Sequence, residues 1–313
     1  MRVYRTFDEI EFKKNTAVTV GTFDGVHLGH QAILNRLKEI SSDSELRSIV
    51  ITIDPHPQIV LRKSGKEPIF ILTDINERLI LFEKFGIEHV LIIPFTFLFS
   101  QTSPEEFVRN WLGKIGLSKI LIGHDHLFGK DRKGDIELLK RLGEKLQFDI
   151  EKVGALDING LIISSTKIRR AILDRDIEQA NKMLGYHYFV TGDTVVGNRR
   201  GAGIGFATAN IKPPDINKLI PSIGVYMVSS QINGAQYYGM ANIGRRPTFG
   251  EDILPAIEAH FFGIDETLYD RQITLEFLKF IREEKKFSGV DELVTQLHKD
   301  KEFCLNERNN FIY

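Results

Sequence analysis

The chain has 313 residues, of which 42% are hydrophobic and 27% are charged. This composition is typical of folded proteins and excludes a disordered, collagen-like or coiled-coil chain, and the length favours two domains. Lysine and arginine number 41 against 42 acidic residues, so no overall positive charge attracts nucleic acid or an anionic membrane.

The single cysteine, Cys304, allows no intrachain disulfide and no cysteine metal cluster, which suits a reducing compartment. The first residues lack the apolar core of a signal peptide, and no run approaches the ~18 apolar residues of a membrane-spanning helix. We therefore expect a cytoplasmic protein that binds its anionic ligands locally.

Strands and helices alternate along the first half of the chain. Strands are predicted over 17–20, 48–53, 90–93, 119–122 and 149–153. Four helices are predicted between them. The first carries Ile33, Leu34, Leu37 and Ile40 on one face, and the second begins at Asp74 with Glu77, carries Leu79, Ile80, Phe82 and Phe85, and ends before Gly86. The third begins at Ser103-Pro104, and the fourth spans 135–142. This alternation predicts a doubly wound parallel sheet that binds ligands at the carboxyl ends of its strands.

From about residue 188 the pattern changes to short strands with glycine-rich turns. Strands are predicted over 224–228, 236–243, 257–262 and 272–280, and a helix over 290–299. This spacing predicts an antiparallel barrel or sandwich. The chain is therefore expected to form two domains, over 1–185 and 186–313.

Glycines and histidines follow the first predicted strand of the sheet directly. The candidate site residues in this stretch are Gly21, Phe23, Asp24, Gly25, His27, Gly29 and His30. Glycines let the backbone approach a phosphate, and the start of a helix offers free N–H groups. The side chains of His27 and His30 can donate to phosphate oxygens as negative charge builds in a transition state. These features outline a nucleotidyl-transfer site.

The same stretch resembles the His-x-Gly-His signature of nucleotidyltransferases related to class I aminoacyl-tRNA synthetases. Its longer form resembles bacterial bifunctional riboflavin kinase/FAD synthetases, and segments 123–130 and 164–169 are similar to two further motifs of that family. The resemblance implies that Asp125 belongs to the ATP site and that Ser165, Thr166 and Arg169 bind the triphosphate opposite the histidines. Hydroxyls at a helix start with an arginine one turn later form an anion site in their own right, although Ser-Ser-Thr alone is commonly an ordinary N-cap.

The second half of the chain carries motifs similar to those of riboflavin kinases. Residues 205–211, Gly-Phe-Ala-Thr-Ala-Asn-Ile, resemble the family's Gly-Phe-Pro-Thr-Ala-Asn. The resemblance implies that Thr208 and Asn210 hold Mg²⁺ and the ATP phosphates, and that Gly203 and Gly205 belong to the glycine-rich nucleotide loop. Oxygen ligands of this kind suit a hard cation.

Further segments continue this resemblance toward the C-terminus. Asn242 and Arg246 lie in a run similar to a kinase-site motif, and Glu258-Ala259-His260 resembles the family's Glu-x-His strand. The resemblance implies that Glu258 is the general base for the ribityl 5′-hydroxyl, and on a strand Glu258 and His260 share a face. Arg282 begins a charged run that resembles a segment near the flavin, although such a run is equally typical of a solvated surface.

The resemblance covers nearly the whole chain and implies two ATP-dependent reactions, phosphorylation of riboflavin to FMN and adenylylation of FMN to FAD with pyrophosphate release. It implies Mg²⁺ as cofactor, ATP as co-substrate and small-molecule partners, and we expect no nucleic-acid or membrane partner. Ala202 and Ala207 replace an arginine and a proline that are usual in the family, which concerns the kinase rate more than the fold. Asp54 has two interpretations: a residue near the adenylyl acceptor or the metal, and an ordinary turn residue.

Two alternatives remain at this point. The N-terminal half is also compatible with nucleotidyl transfer to another phosphorylated small molecule. The alanines at 202 and 207 leave open a barrel that binds flavin without catalysing a reaction and so acts as a regulatory module.

Overall fold

The structure, a computed structural model, describes residues 1–62, 65, 67–124, 127–158, 161–195, 202–245, 255–264 and 268–311. The chain divides into two compact units, Met1–Ser165 and Thr166–Tyr313, called the N-terminal unit and the barrel unit below. Within the described ranges, no helix combines the length and the apolar character needed to cross a membrane.

The N-terminal unit is built on a six-stranded sheet in the order β1-β4-β3-β2-β5-β6, and all neighbouring strands are parallel. The strands are β1 Arg2–Tyr4, β2 Thr16–Gly21, β3 Arg47–Asp54, β4 His89–Pro94, β5 Leu117–Ile122 and β6 Asp149–Lys152, with a small hairpin of β7 Asp157–Ile158 and β8 Leu161–Ile162. The helices are α1 Leu28–Asp43, α2 Pro57–Val60, α3 Ile75–Lys84, α4 Phe97–Ser100, α5 Pro104–Glu106, continued by a π-helical segment Phe107–Leu112, and α6 Ile136–Leu146.

Both faces of this sheet are covered. Consecutive residues of β2, from Ala17 to Val20, are all buried, as in parallel strands with helices on both sides. On one face, the sheet forms a hydrophobic core with α6 and the segment after α5. Helix α1 contacts β2, β3 and β5, and its buried residues do not belong to that core. The predicted doubly wound parallel sheet is confirmed.

The predicted helix starts agree with the structure in their capping residues. Asp74 and Glu77 form a complete capping box at the start of α3, and the Ser103 side chain accepts from the Glu106 N–H at the start of α5. The predicted apolar face of α3 is partly wrong, because Ile80 is 51% exposed while the charged residues Glu77 and Arg78 are buried.

The second unit is a closed antiparallel barrel in the order β10-β13-β12-β11-β14-β9, which confirms the predicted barrel rather than the sandwich. Pairing of β9 with β10 closes it. Its strands are β9 Phe189–Val195, β10 Ala209–Lys212, β11 Gly224–Ile232, β12 Ala235–Arg245, β13 Pro255–Phe261 and β14 Gln272–Arg282. Its helices are α7, which starts at the unit boundary and spans Ser165–Leu173, α8 Ile177–Leu184 and α9 Val290–Glu307.

The last helix is longer than the sequence pattern predicts. The prediction ended at residue 299, but α9 continues to Glu307. Its later turns bury Cys304 against Met227, Met240 and Leu278 of the barrel, so packing on the barrel extends the helix beyond its first apolar repeat.

Candidate active sites

The chain turns sharply between β2 and α1. Phe23, Gly25 and Val26 have φ angles of +48°, +81° and +32°, in the left-handed region that is costly for phenylalanine and for β-branched valine. The buried Phe23 ring packs edge-on against Phe82 at 5.7 Å and against His30 at 5.2 Å between ring centroids. These contacts hold a strained turn at the carboxyl end of the sheet.

His27 and His30 lie together where α1 begins. His27 is the N-cap residue, and its Nδ1 accepts a hydrogen bond from the His30 backbone N–H at 3.3 Å. The two rings stack with centroids 3.7 Å apart and an interplanar angle of 15°. Because Nδ1 of His27 is an acceptor, the hydrogen of its neutral ring lies on Nε2.

Burial and the two neighbouring groups His27 and Arg78 lower the pKa of His30 well below its ordinary value of 6.5. Nδ1 of His30 is buried and makes no hydrogen bond within the described part of the chain. The site therefore presents neutral imidazoles beside the free N–H groups of a helix start, which is a suitable environment for phosphate oxygens.

Asp24 is a structural part of this turn. Its Oδ1 accepts from the backbone N–H groups of Leu72 at 2.8 Å and Thr73 at 3.1 Å, and its backbone carbonyl accepts from Ser165 Oγ at 2.9 Å. A Cβ atom at Gly29 would lie 3.2 Å from the His27 ring, so glycine there leaves room for the histidine. A Cβ at Gly21 would similarly crowd the Phe23 ring at 3.2 Å.

The structure describes three of the four other predicted phosphate ligands. Ser165 and Thr166 are in the first turn of α7 and Arg169 is one turn later, the arrangement that the sequence motif predicts. The two compact units divide between Ser165 and Thr166. Asp125 lies outside the described residues.

Three predicted kinase residues lie side by side on the barrel. Glu258 on β13 pairs with Asn210 on β10 and with Asn242 on β12. Side chains paired in this way lie on one face with Cβ atoms about 4.5–5.5 Å apart. Asn210 is 4% exposed, and Glu258 and Asn242 are half-buried. A carboxylate thus lies between two amides, one of which, that of Asn210, is a predicted Mg²⁺ ligand.

The loop before β10 is bound to the neighbouring strand β13. His260 Nδ1 donates to the backbone carbonyl of Ala207 at 2.8 Å, and the His260 ring lies 5.0 Å from that of Phe206. Burial lowers the pKa of His260, although the bond to Ala207 acts in the opposite direction. This contact fixes the backbone just before Thr208. Gly203 lies in a short 3-10 helix, Ala202–Ile204, and Gly205 has a φ of +80°.

Arg282 is held by the last helix. Its Nε lies 3.0 Å from both carboxylate oxygens of Asp300, and its Nη2 lies 2.7 Å from Oδ2. Gln296 adds a hydrogen bond to the same carboxylate at 2.9 Å. One side of the guanidinium fork therefore binds α9, a partnership that the charged run in the sequence did not reveal. Arg246 lies outside the described residues.

Sequence reasoning did not identify Arg78, His260 as a loop contact, or Asp300. The Glu-x-His spacing marks a shared strand face but not the carbonyl that His260 binds. Arg78 directly follows the capping box of α3, where an arginine is ordinarily exposed. No group of three histidine, cysteine, aspartate or glutamate side chains in the described ranges is arranged to hold a metal ion.

The comparisons with known proteins match both units. The family model described as FAD synthetase matches residues 9–167, and that described as riboflavin kinase matches residues 184–307. A crystal structure described as a macrolide-efflux protein from Streptococcus pneumoniae superposes with a TM-score of 0.87 at 30% identity, over 97% of this chain and 98% of that chain. That name concerns the other protein, and the superposition shows a common fold.

Curated relatives cover almost the full length of the chain. The bifunctional riboflavin kinase/FMN adenylyltransferase of Listeria monocytogenes is 36% identical over 92% of this chain and 91% of its own. The protein of the same name from Bacillus subtilis is 34% identical over 96% of this chain and 95% of its own. The chain therefore belongs to the family of bifunctional riboflavin kinases/FMN adenylyltransferases.

Proposed function

We propose that the barrel unit phosphorylates riboflavin to FMN and that the N-terminal unit transfers AMP from ATP to FMN, giving FAD and pyrophosphate. One observation supports this most directly: each of the two family models matches a different fold of the chain, and each fold carries its own cluster of polar residues. The comparisons do not favour the alternative of a different acceptor combined with a non-catalytic barrel.

In the N-terminal unit, we assign the histidines to the phosphates of ATP. An FMN phosphate oxygen attacks the α-phosphorus of ATP, and the bond to the β-phosphate bridging oxygen breaks to release pyrophosphate. The Nε2–H of His27 and the half-buried ring of His30 are the donors for charge that develops on the phosphates. Gly21, Phe23, Asp24, Gly25 and Gly29 shape the turn. Asp125, Ser165, Thr166 and Arg169 remain phosphate ligands predicted from the sequence motifs, and the last two belong to the second compact unit.

In the barrel unit, we assign Glu258 as the general base. Its carboxylate takes the proton of the ribityl 5′-hydroxyl while that oxygen attacks the γ-phosphorus of ATP and ADP leaves. Asn210 and Asn242 pair with Glu258 on the two neighbouring strands. Gly203, Gly205, Arg246 and Arg282 remain predicted contacts for ATP or flavin.

The donor set beside Glu258 is compatible with Mg²⁺. The Thr208 hydroxyl and the Asn210 amide offer hard oxygen atoms, and Mg²⁺ in phosphoryl-transfer sites usually takes its remaining ligands from substrate phosphates and water. When bound, the ion would neutralise charge on the transferring phosphate. Thr208 and Asn210 would hold it, and the His260 contact keeps the backbone before Thr208 in place.

We place the functional boundary between residues 185 and 186. Gly185 ends α8 in the left-handed conformation, with a φ of +75°, and the second family model begins at residue 184. The two compact units divide earlier in the chain, because α8 packs on the barrel, where Asn181 Nδ2 donates to the Phe277 carbonyl at 2.9 Å.

We also propose a cytoplasmic location, supported by the buried free thiol of Cys304. The proposed partners are ATP, riboflavin and FMN.

A time course with riboflavin and ATP tests this function. FMN and ADP should appear first, and FAD and pyrophosphate should follow as FMN accumulates. A second reaction that starts from FMN should give FAD and pyrophosphate without ADP. ADP release without FAD, or no product from either mixture, would contradict the proposal.

A further inference from the structure

Four charged side chains are buried together in the N-terminal unit. The exposed fractions are 1% for Asp24, 4% for Asp74, 1% for Glu77 and 0% for Arg78. The carboxylates of Asp24, Asp74 and Glu77 each accept a backbone N–H. Arg78 supplies the positive charge of this group, and a fully buried guanidinium requires a specific set of partners.

The guanidinium of Arg78 joins two segments at the carboxyl end of the sheet. Its Nη1 donates to Thr52 Oγ1 at 2.8 Å and to the Ile53 carbonyl at 3.0 Å, both at the end of β3. Its Nη2 donates to the Thr73 carbonyl at 3.4 Å and lies 3.8 Å from Asp54 Oδ1. Arg78 thus connects β3 to the segment before α3.

The same two threonines hold the turn that precedes the histidines. Thr52 Oγ1 donates to the Thr22 carbonyl at 3.2 Å. Thr73 Oγ1 accepts from the Gly25 N–H at 2.9 Å, and the Thr73 N–H donates to Asp24 Oδ1 at 3.1 Å. Each threonine therefore contacts Arg78 on one side and the strained turn on the other.

We propose that Arg78 is a positioning residue for FMN adenylylation, which fixes the turn between β2 and α1 and so sets the places of His27 and His30. This inference rests on the proposed function of the N-terminal unit. The strained φ angles at Phe23 and Val26 persist only where the surrounding structure determines them. The planar fork of an arginine reaches both segments at once, whereas a lysine at this position would supply one point charge.

The positive charge of Arg78 also acts on His30. Arg78 is one of the groups that lower the pKa of His30, after burial and the neighbouring His27. A fixed positive charge at this depth favours the neutral form of the neighbouring imidazole, which carries a single N–H donor. Arg78 therefore influences both the position and the protonation of the histidine.

The test uses the full chain with two substitutions and matched controls. Arg78→Lys keeps the charge but removes the fork, and Thr52→Val removes the hydroxyl between Arg78 and the turn at nearly constant volume. Thr52→Ser keeps that hydroxyl, and Arg36→Lys makes the same exchange at an exposed arginine. For each protein, kcat and KM of FAD formation, the rate of riboflavin phosphorylation and the melting temperature are measured.

Arg78→Lys and Thr52→Val should lower kcat of FAD formation by about 10- to 100-fold, the scale of a misplaced catalytic group, with smaller changes in KM. Riboflavin phosphorylation should persist in all variants, and Thr52→Ser and Arg36→Lys should behave as the parent does. Wild-type kcat in both Arg78→Lys and Thr52→Val would overturn the positioning role, as would an equal loss of both activities with a lowered melting temperature in Thr52→Val.

If Arg78→Lys does not fold, the comparison of Thr52→Val with Thr52→Ser tests the positioning role by itself. A loss of kcat in the valine variant only supports the inference, and equal kcat values overturn it. Absence of FAD formation by the unmodified chain would instead contradict the proposed function, and with it the role given to Arg78.

Discussion

The side chain of His260 and the backbone carbonyl of Ala207 are joined by a 2.8 Å hydrogen bond. This bond ties the loop before β10 to the strand that carries Glu258, because His260 lies two residues after Glu258 on β13. A proline, the residue usual at position 207 in the family, would keep the carbonyl that accepts this bond.

Replacement of Ala207 by proline should stabilise the fold by about 0.4–1 kcal/mol, because the unfolded chain loses freedom. In the described part of the chain the Ala207 N–H donates to no acceptor, so proline removes no hydrogen bond there. Proline also biases Phe206 toward extended geometry and should tighten Mg²⁺·ATP binding, since less ordering remains for the ligand to complete. Thermal melting and kinase titrations check both effects.

Ala207→Gly is the matched control and should change both quantities in the opposite direction, because glycine increases the freedom of the loop. A lower melting temperature together with weaker Mg²⁺·ATP binding in Ala207→Pro would show that the loop follows a path closed to proline. The assignment of Thr208 and Asn210 to the metal site would then be wrong.

Loss of the Asp300 charge should destabilise the barrel unit. Asp300 is 2% exposed and the Arg282 side chain 20%. Removal of one partner from a fully buried pair costs about 3–5 kcal/mol, and the partial exposure of Arg282 reduces this to about 1–3 kcal/mol for Asp300→Asn. Urea unfolding measures the change. Glu292→Gln, at an exposed ion pair with Lys285, should have a much smaller effect, and equal effects of the two variants would contradict a structural role for Asp300.

Protonation of His30 should destabilise the N-terminal unit below neutral pH. The pKa of a histidine in the unfolded chain is about 6.5, and the folded value for His30 lies well below it. Between these two values the unfolded chain binds the proton and the folded chain does not, so the free energy of unfolding falls as pH decreases through this window. Above about pH 6.5 this contribution is constant.

His30→Gln should therefore reduce the loss of stability between about pH 6.5 and 5. His89 and His260, whose pKa values burial also lowers, contribute in the same sense and are present in both proteins. His187→Gln, in the barrel unit, is the control. Unfolding curves with the same pH dependence for His30→Gln and the parent would contradict a buried neutral His30.

The sequence could predict most of the elements because their signals are local. The capping pair Asp74 and Glu77 and the turn residue Gly86 define α3 from its own sequence. Local patterns did not predict the burial of Arg78, because it depends on Thr52 and Thr73 from other segments. Ile80 is exposed because helical geometry places it away from the face that Arg78, Leu81 and Phe82 bury.

The same distinction applies to the barrel site. The motifs identified Asn210, Asn242 and Glu258, but the pairing of Glu258 between the two asparagines depends on the strand register of a closed barrel. No local spacing determines that register. The bond from Arg282 to Asp300 likewise depends on where α9 packs, and the prediction ended that helix at residue 299.

Reciprocal variants of the full chain test most directly whether one chain carries two separate active sites. His30→Ala should slow FAD formation by about 10²–10³, the scale for removal of one transition-state donor, and leave riboflavin phosphorylation near the parent rate; His27→Ala should behave alike. Glu258→Gln should slow riboflavin phosphorylation by about 10²–10⁴, the scale for loss of a general base, and leave FAD formation from FMN near the parent rate. Equal loss of both activities in either variant would contradict two separate active sites. Kinase activity of Glu258→Gln within about twofold of the parent, far from that scale, would contradict the role of Glu258 as general base.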